Sequence, residues 1–306
     1  MKRLVLLMFC LFTLVSCSSK QEKFDKYELP MAKDGQGYSF GLFNKDKIEP
    51  SRSFTLDGQT TFTKSLVFGN KVPQDTKLML VVFDKGQQVN FNIKGKSYNY
   101  YPFTVNAEEY CSIEVMLENI DESFHSINYI LFRDPDYIRN ESDELKKSIK
   151  LTQLFSIRVN INEEKMENKH SKNASIASYP YPRIHGVFTS KGNELYKAWT
   201  NERVGEGQEY LSYNLLYGNT EQSPMDFFIV TLLNWKQINM NGNKYIYDQL
   251  EPFEEKNLGI QINEEFGEIN HLVTILLPDP YGALPDENPY SIFSPSSSIR
   301  TAVIKE

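Results

Sequence analysis

The sequence is short of the residues that build metal centres, disulfide frameworks and histidine-based proton relays. Its 306 residues include three Cys, four His and two Trp. So few thiols and imidazoles leave little material for such sites, and we expect neither a metal nor another cofactor. Positive charge is also scarce, since 33 Lys and Arg stand against 40 Asp and Glu, a net charge of −7. This balance argues against nucleic acid and against an anionic membrane surface as partners.

Aromatic residues are abundant instead. The chain has 20 Phe and 18 Tyr, a bias that suits strands more than helices. Hydrophobic residues make up 40% and charged residues 24%, so the chain can bury a core. A chain of this length predicts two domains. After residue 16 no run of 18 apolar residues occurs, and no transmembrane helix is predicted.

The first sixteen residues have the two parts of a secretion signal. Lys2 and Arg3 precede an apolar run from Leu4 to Val15, which is too short to span a bilayer as a helix. The next residues, Leu14-Val15-Ser16-Cys17, resemble the lipobox of bacterial lipoproteins. The resemblance implies removal of residues 1–16, acylation of Cys17, and a lipid-anchored protein on the extracytoplasmic face of the cell membrane. The alternative is an ordinary secreted protein with a coincidental Cys at the cleavage site.

The remaining cysteines fit this interpretation. Cys10 lies in the signal and Cys17 would carry lipid, so Cys111 is left without a partner for a disulfide. Cys111 lies on the apolar phase of an alternating strand pattern. We therefore predict a buried, unreactive thiol.

The chain contains an internal repeat, visible as short matches that recur in the same order at offsets between 142 and 150 residues. The histidines His125 and His271 match, and so do the runs 78–87 and 228–237, which set Lys85 opposite Trp235. Three further matches are Phe68-Gly69-Asn70 with Tyr217-Gly218-Asn219, Asp134-Pro135 with Asp279-Pro280, and Ser156-Ile157-Arg158 with Ser298-Ile299-Arg300. The order of the matches indicates a tandem duplication.

Within each copy the pattern is that of strands. Ile113, Val115 and Leu117 alternate with polar residues, and Leu78 to Phe83 is a short apolar run between turns. We predict an all-β protein with two tandem antiparallel β-sandwich domains, immunoglobulin-like in the broad sense and related by duplication. The predicted boundaries are a signal peptide at 1–16, a lipid-anchored polar tether at 17–40, repeat 1 at 41–161, a flexible linker at 162–184 and repeat 2 at 185–306.

Most candidates for chemistry have a plainer structural explanation. His125 and His271 precede equivalent strands, where a His more often satisfies backbone groups than binds a ligand. Pairs of adjacent glutamates could supply two catalytic carboxylates, but such pairs usually solvate loops and sheet edges. These pairs are Glu108-Glu109, Glu254-Glu255 and Glu264-Glu265. No catalytic residue is assigned.

Aromatic side chains are the best candidates for ligand or partner contacts, because exposed rings stack on sugars and anchor protein partners. The candidates are Trp199, Trp235, Tyr98, Tyr100, Tyr245 and Tyr247. The Tyr-x-Tyr spacing predicts that both rings of each pair share one strand face. The competing interpretation is a sheet face that is packed in the core or stabilised by cross-strand pairs.

These features favour a lipoprotein with a non-enzymatic binding or scaffold role towards envelope proteins or wall glycans, held to the lipid bilayer by acylated Cys17. One alternative is a hydrolase of cell-wall polymer that uses an unidentified carboxylate pair. Another is a solute-binding receptor, which is disfavoured because the alternating strand and helix pattern of such receptors is missing.

Overall fold

The computed structural model describes residues 36–44, 47–139, 149–166, 177–179, 182–208, 210–284 and 294–306. The signal peptide and Cys17 lie outside these residues. Regular structure in the described ranges is almost entirely β, with 3-10 turns at 149–151 and at Glu163–Lys165. None of the described residues forms a helix with the length and apolar character needed to cross a bilayer.

Two sheets build the first half of the chain, which we call unit 1. The strands of sheet A, in spatial order, are β2 (Lys47–Ile48), β1 (Tyr38–Asn44), β4 (Thr61–Asn70), β10 (Tyr110–Glu118), β7 (Phe91–Ile93) and β8 (Lys96–Tyr98). The strands of sheet B are β3 (Ser53–Phe54), β12 (Leu154–Ile161), β11 (His125–Arg133) and β5 (Thr76–Asp84), and then β6 (Gln87–Gln88) and β9 (Tyr100–Val105), which both pair with β5.

Two further sheets build the second half, unit 2. The strands of sheet C are β13 (Ala177–Tyr179), β20 (Glu255–Asn263), β16 (Tyr210–Gly218) and β14 (Gly186–Ser190). The strands of sheet D are β15 (Asn201–Val204), β23 (Thr301–Lys305), β21 (Ile269–Pro278) and β17 (Met225–Leu233), with β18 (Lys236–Ile238) and β19 (Tyr245–Leu250) on β17 and β22 (Ser296–Ser297) on β21.

Each unit is a sandwich of two mainly antiparallel sheets around its own core. Among the described strands each unit has one parallel pair, β3 with β12 and β15 with β23. The alternation predicted for β10 is present, since Ile113, Val115 and Leu117 point into the core between sheets A and B. Cys111 is buried in the same core, as predicted. The predicted all-β sandwich class is confirmed.

Sheets B and D are buried on both faces, because the two units pack against each other through them. On β5, Leu78, Leu80 and Val82 enter the core of unit 1. The alternate residues Met79, Val81 and Phe83 enter a third apolar cluster, shared with β17 and β21 of unit 2. The sheets therefore stack in the order A, B, D, C. This explains why the central strands are unbroken apolar runs, since both of their faces exclude water.

Strand pairing moves two of the predicted boundaries. β1 begins at Tyr38, inside the predicted tether, because Tyr38 and the residues after it pair with β4. β13 lies inside the predicted linker and pairs with β20. The sheets of the two units therefore begin before residues 41 and 185.

Strand registers also correct two of the sequence matches. The N–H of Lys85 donates to the carbonyl of Ser126, and the N–H of Asn234 donates to that of His271. Counted from these bonds, the counterpart of Trp235 is Gly86 and not Lys85, and the counterpart of His271 is Ser126 and not His125. Each predicted match is one position out, because side-chain similarity does not fix the register of two paired strands.

Candidate functional site

The aromatic candidates lie in the apolar clusters of the protein or pack against them. Trp199 is 5% exposed in the core of unit 2, and its indole N–H donates to Glu202 Oε2 at 2.9 Å. Trp235 and Tyr247 are buried in the cluster between the units. Tyr100 and Tyr245 pack at the edge of that cluster, and Tyr98 packs against the core of unit 1. The competing core interpretation therefore describes where these rings lie.

The two Tyr-x-Tyr pairs behave differently. Tyr245 and Tyr247 both contact Phe228, with ring centroids 4.9 and 5.0 Å away, so they share a face as predicted. Tyr98 and Tyr100 do not share a face, because the chain bends at residue 99 and places them on β8 of sheet A and β9 of sheet B. The period-two rule holds only within one continuous strand.

Trp235 occupies a backbone conformation that normally selects glycine. It is the second central residue of the hairpin turn between β17 and β18, with φ +68°, and its counterpart Gly86 has φ +76°. Two-residue hairpin turns of this kind require positive φ at both central positions. The indole packs 5.1 Å from the Phe132 ring and lies under the Arg300 guanidinium at 5.6 Å. Packing between the units therefore holds Trp235 in a strained conformation.

Two glutamines join the hairpins of the two units by reciprocal hydrogen bonds. The backbone N–H of Gln88 donates to Oε1 of Gln237 at 2.7 Å, and the N–H of Gln237 donates to Oε1 of Gln88 at 2.6 Å. The side-chain amides continue the exchange, from Gln88 to the Trp235 carbonyl and from Gln237 to the Gly86 carbonyl. This symmetry relates the units as the subunits of an isologous dimer are related.

Two buried arginines repeat this reciprocal pattern elsewhere in the interface. Arg158 donates to the carbonyls of Pro278, Asp279 and Gly282 in unit 2. Arg300 donates to the carbonyls of Asp134 at 2.5 Å and Tyr137 at 3.2 Å in unit 1. Burial lowers the pKa of Arg300 to about 10, so it stays charged at neutral pH. The repeated Ser-Ile-Arg and Asp-Pro motifs are thus the two halves of one reciprocal contact.

The two matched histidines lie in unlike surroundings. His125 Nδ1 is 2.6 Å from Asp84 Oδ2, and Nε2 is 3.1 Å from Asp121 Oδ1. Burial alone would lower the pKa of His125, but the hydrogen bond to Asp84 and the charge of Asp84 raise it above its usual value. His271 stacks near Trp235, and burial together with the charge of Arg300 lowers its pKa to about 4. His125 is thus paired with carboxylates, whereas His271 lies near an aromatic ring and a guanidinium.

One of the glutamate pairs has a structural role that its sequence does not reveal. Glu255 is fully buried, and its carboxylate accepts bonds from the N–H of Arg183 at 2.7 Å and from the Tyr196 hydroxyl at 2.6 Å. These donors compensate the buried charge and fasten the segments before and after β14 to β20. In the described part of the chain, no group of three or more His, Cys, Asp or Glu residues is arranged to hold a metal ion.

The outer face of sheet C carries an open groove of about 520 Å³, which no sequence pattern had indicated. Its floor consists of outward-facing residues of paired strands, with Asn214 opposite Gly259 and Ser212 opposite Gln261. One wall is the turn at 191–193 after β14, and the other is the hairpin that contains Asn241. The first wall is bonded to β16 through Asn214 and Gly192, and the second is bonded to β20 through Asn241 and Gly259, so the walls flank the two paired strands.

Comparison with known proteins identifies no family. No protein-family model matches the chain, and no curated protein matches it. Among solved structures, red sea bream transglutaminase matches 89% of this chain over 31% of its own, with 11% identity and a TM-score of 0.24. The CARDB domain of a Pyrococcus furiosus protein, in complex with di-metal ions, matches 45% of this chain over 97% of its own, with 11% identity and a TM-score of 0.23. A PapD-like domain of human CEP192 matches 43% of this chain over 87% of its own, with 12% identity and a TM-score of 0.23.

Proposed function

We propose that this protein is an extracytoplasmic lipoprotein, anchored in the cell membrane through Cys17, that binds or scaffolds envelope proteins or wall glycans without catalysis. The lipobox-like sequence at residues 14–17 supports the anchor. Two acyl chains on one cysteine provide the double attachment that stable membrane binding needs.

The reciprocal interface between the units carries the proposal. Gln88, Gln237, Arg158 and Arg300 direct their polar groups at the backbone of the opposite unit. These groups are therefore engaged in holding two sandwiches together as one body. Because sheets B and D face each other, sheets A and C are left as the two broad outer faces. Such a body suits the presentation of binding surfaces beyond a membrane.

Binding with and without hydrolysis can be separated in one experiment. Detergent-solubilised protein would be incubated with purified, protein-free wall polymer, and both the co-sedimenting protein and the soluble saccharide released would be measured. We expect co-sedimentation with no release above the level of a protein-free control. Release that disappears when one carboxylate is changed, for example in Asp279→Asn, would establish the wall-hydrolase alternative instead.

The scaffold role towards proteins needs its own readout. Glu114 is exposed on the outer face of sheet A, so Glu114→Arg reverses a charge there without touching the core. Cross-linking in intact cells should give a discrete adduct that this variant weakens if sheet A carries a protein partner. Wall binding that is unchanged in the same variant would assign the glycan contact to another face.

A further inference from the structure

We infer that the groove on the outer face of sheet C is a binding site for a neutral saccharide. The inference rests on the proposed binding role and specifies the ligand class and the site. It is carried by one residue, Gly259, together with the amide side chains around it.

Gly259 lies in the interior of β20 with no structural need for glycine. Its φ is not positive, and a Cβ placed on it would meet nothing within 4 Å. A glycine in the middle of a strand weakens the sheet, and such glycines often mark close approach by a ligand or another backbone. What glycine provides here is an open floor, since any side chain at this position would project into the groove.

The corresponding position in unit 1 is filled. Gly218 pairs with Glu255 at one end of the β16–β20 pair, and Gly69 pairs with Tyr110 at the same end of β4–β10. Four residues further along both strands, Asn214 faces Gly259 in unit 2, and Ser65 faces Glu114 in unit 1. An exposed Glu therefore occupies in unit 1 the space that is open in unit 2. The groove is a feature of one unit, and the shared fold does not require it.

The amides that surround the floor are held in place by the protein. Asn214 donates from Nδ2 to the carbonyl of Gly192 at 2.6 Å. Asn241 donates to the carbonyl of Gly259 at 2.9 Å and accepts from the N–H of Gln261 at 2.7 Å. Each primary amide has two N–H donors and a carbonyl with two lone pairs, so these bonds leave capacity for a ligand. Fixed side chains lose little entropy on binding.

The charge of the groove indicates a neutral ligand. Among the residues that the structure describes, Lys191 is the one charged side chain in the lining. Its ammonium is 2.9 Å from Glu202 Oε1 and donates to the carbonyl of Ser212 at 2.8 Å, so its charge is compensated. Neutral amides in a groove of about 520 Å³, within the usual size range of small-ligand sites, match the paired donors and acceptors of sugar hydroxyl and acetamido groups.

The test uses the detergent-solubilised full chain and isothermal titration calorimetry. The probes are N-acetylglucosamine oligomers, neutral glucan oligomers and uronic-acid oligomers of equal length. We expect the neutral probes to bind more tightly than the anionic one. Gly259→Glu, which introduces the residue that unit 1 has at this position, should weaken neutral binding at least tenfold. Gln261→Ala should weaken it about threefold to tenfold, the loss of one or two hydrogen bonds.

Gly37→Glu is the matched control, because Gly37 lies in unit 1, has a φ that is not positive and has open space around its Cβ. It should bind within twofold of wild type, and Gly259→Glu should unfold in urea no earlier than this control. Unchanged binding by Gly259→Glu, or a preference for the anionic probe, would overturn the inference. If wild type and Gly259→Glu both co-sediment equally with wall polymer, the groove assignment fails while the proposed function stands. If wild type itself does not co-sediment, the glycan role fails.

Discussion

Gln88 and Gln237 each donate a backbone N–H to the side-chain carbonyl of the other, at 2.7 and 2.6 Å. A contact of this form, in which two equivalent residues exchange the same bond, is the signature of an isologous interface. Here it joins two halves of one chain. The reciprocal contacts of Arg158 and Arg300 with the opposite Asp-Pro loops follow the same rule.

The glutamine exchange predicts strong coupling between the two positions. Gln88→Met or Gln237→Met leaves a backbone N–H of the other unit without its acceptor, and each should lower the free energy of unfolding by about 1–3 kcal/mol. The double variant should cost less than the sum of the singles, by about 1 kcal/mol. Urea denaturation of all four proteins gives the coupling energy. Additive losses would mean that the two bonds break independently, and unchanged stability in either single variant would contradict the exchange.

Replacing a buried arginine should lower the free energy of unfolding far more than replacing an exposed one. Arg300→Met removes the two hydrogen bonds from Arg300 to the carbonyls of Asp134 and Tyr137, in a region where Arg300 itself is 2% exposed. We expect a loss of about 2–4 kcal/mol in the free energy of unfolding. Arg203→Met is the control, because Arg203 makes a surface ion pair with Glu306 and should change stability by about 0.5 kcal/mol or less. Equal losses in the two variants would contradict the structural role of Arg300.

At Trp235, substitution by glycine should destabilise the protein less than substitution by alanine, which is the reverse of the usual order. Either change removes a buried indole and should cost about 3–5 kcal/mol. Glycine relieves the strain of φ +68° and alanine does not, so Trp235→Gly should be more stable than Trp235→Ala by about 1 kcal/mol. Guanidinium denaturation of both variants measures the difference. A more stable alanine variant would show that the turn is not strained.

The two histidines should affect stability in opposite pH ranges. The pKa of His125 is raised by Asp84, so its stabilising contribution is complete below about pH 6.5 and is lost as the pH rises through the folded pKa. The pKa of His271 is lowered to about 4, so the protein loses stability as the pH falls from about 6.5 towards 4.

Urea unfolding at pH 4.5, 6 and 8 tests both signs. Relative to wild type, His125→Gln should be most destabilised at pH 6 and below and less so at pH 8. The free energy of unfolding of His271→Gln, relative to that of wild type, should increase as the pH falls from 6 to 4.5, because the variant lacks the group that resists protonation. Parallel pH profiles for the two variants would contradict the opposite environments of the two rings.

Membrane attachment should depend on one thiol. Cys17→Ala should abolish labelling by a palmitate analogue and move the protein from the membrane fraction to the soluble fraction or the uncleaved precursor. Cys111→Ala is the control, because Cys111 is buried in the core of unit 1 and should leave both readouts unchanged. A mature Cys17→Ala protein that still sediments with membranes would rule out the lipid anchor.

The strand pattern predicted the fold class because the alternation of apolar and polar residues is a local periodicity. The repeat predicted two copies of that fold because self-similarity can be read directly from the sequence. The alternation of Ile113, Val115 and Leu117 marks the inward face of β10 with no knowledge of its neighbours. The aromatic candidates show the limit of this reasoning. The sequence pattern around Trp235 and Tyr247 is the same whether these side chains face solvent, a core or a second sandwich. The signal for the interface was nevertheless present, since both units keep an Arg after Ser-Ile and an Asp-Pro pair.

The groove could not be found in this way. Gly259, Asn214 and Asn241 come from three segments whose proximity depends on strand register and on where a hairpin folds back. By itself the sequence determined the β class, the duplication and the buried state of Cys111, because strand alternation and self-similarity are written along the chain. Only the tertiary structure decided that the two copies pack through their central sheets and leave an amide-lined groove on one outer face. Those features depend on which side chains meet across long sequence separations, and no local pattern encodes that.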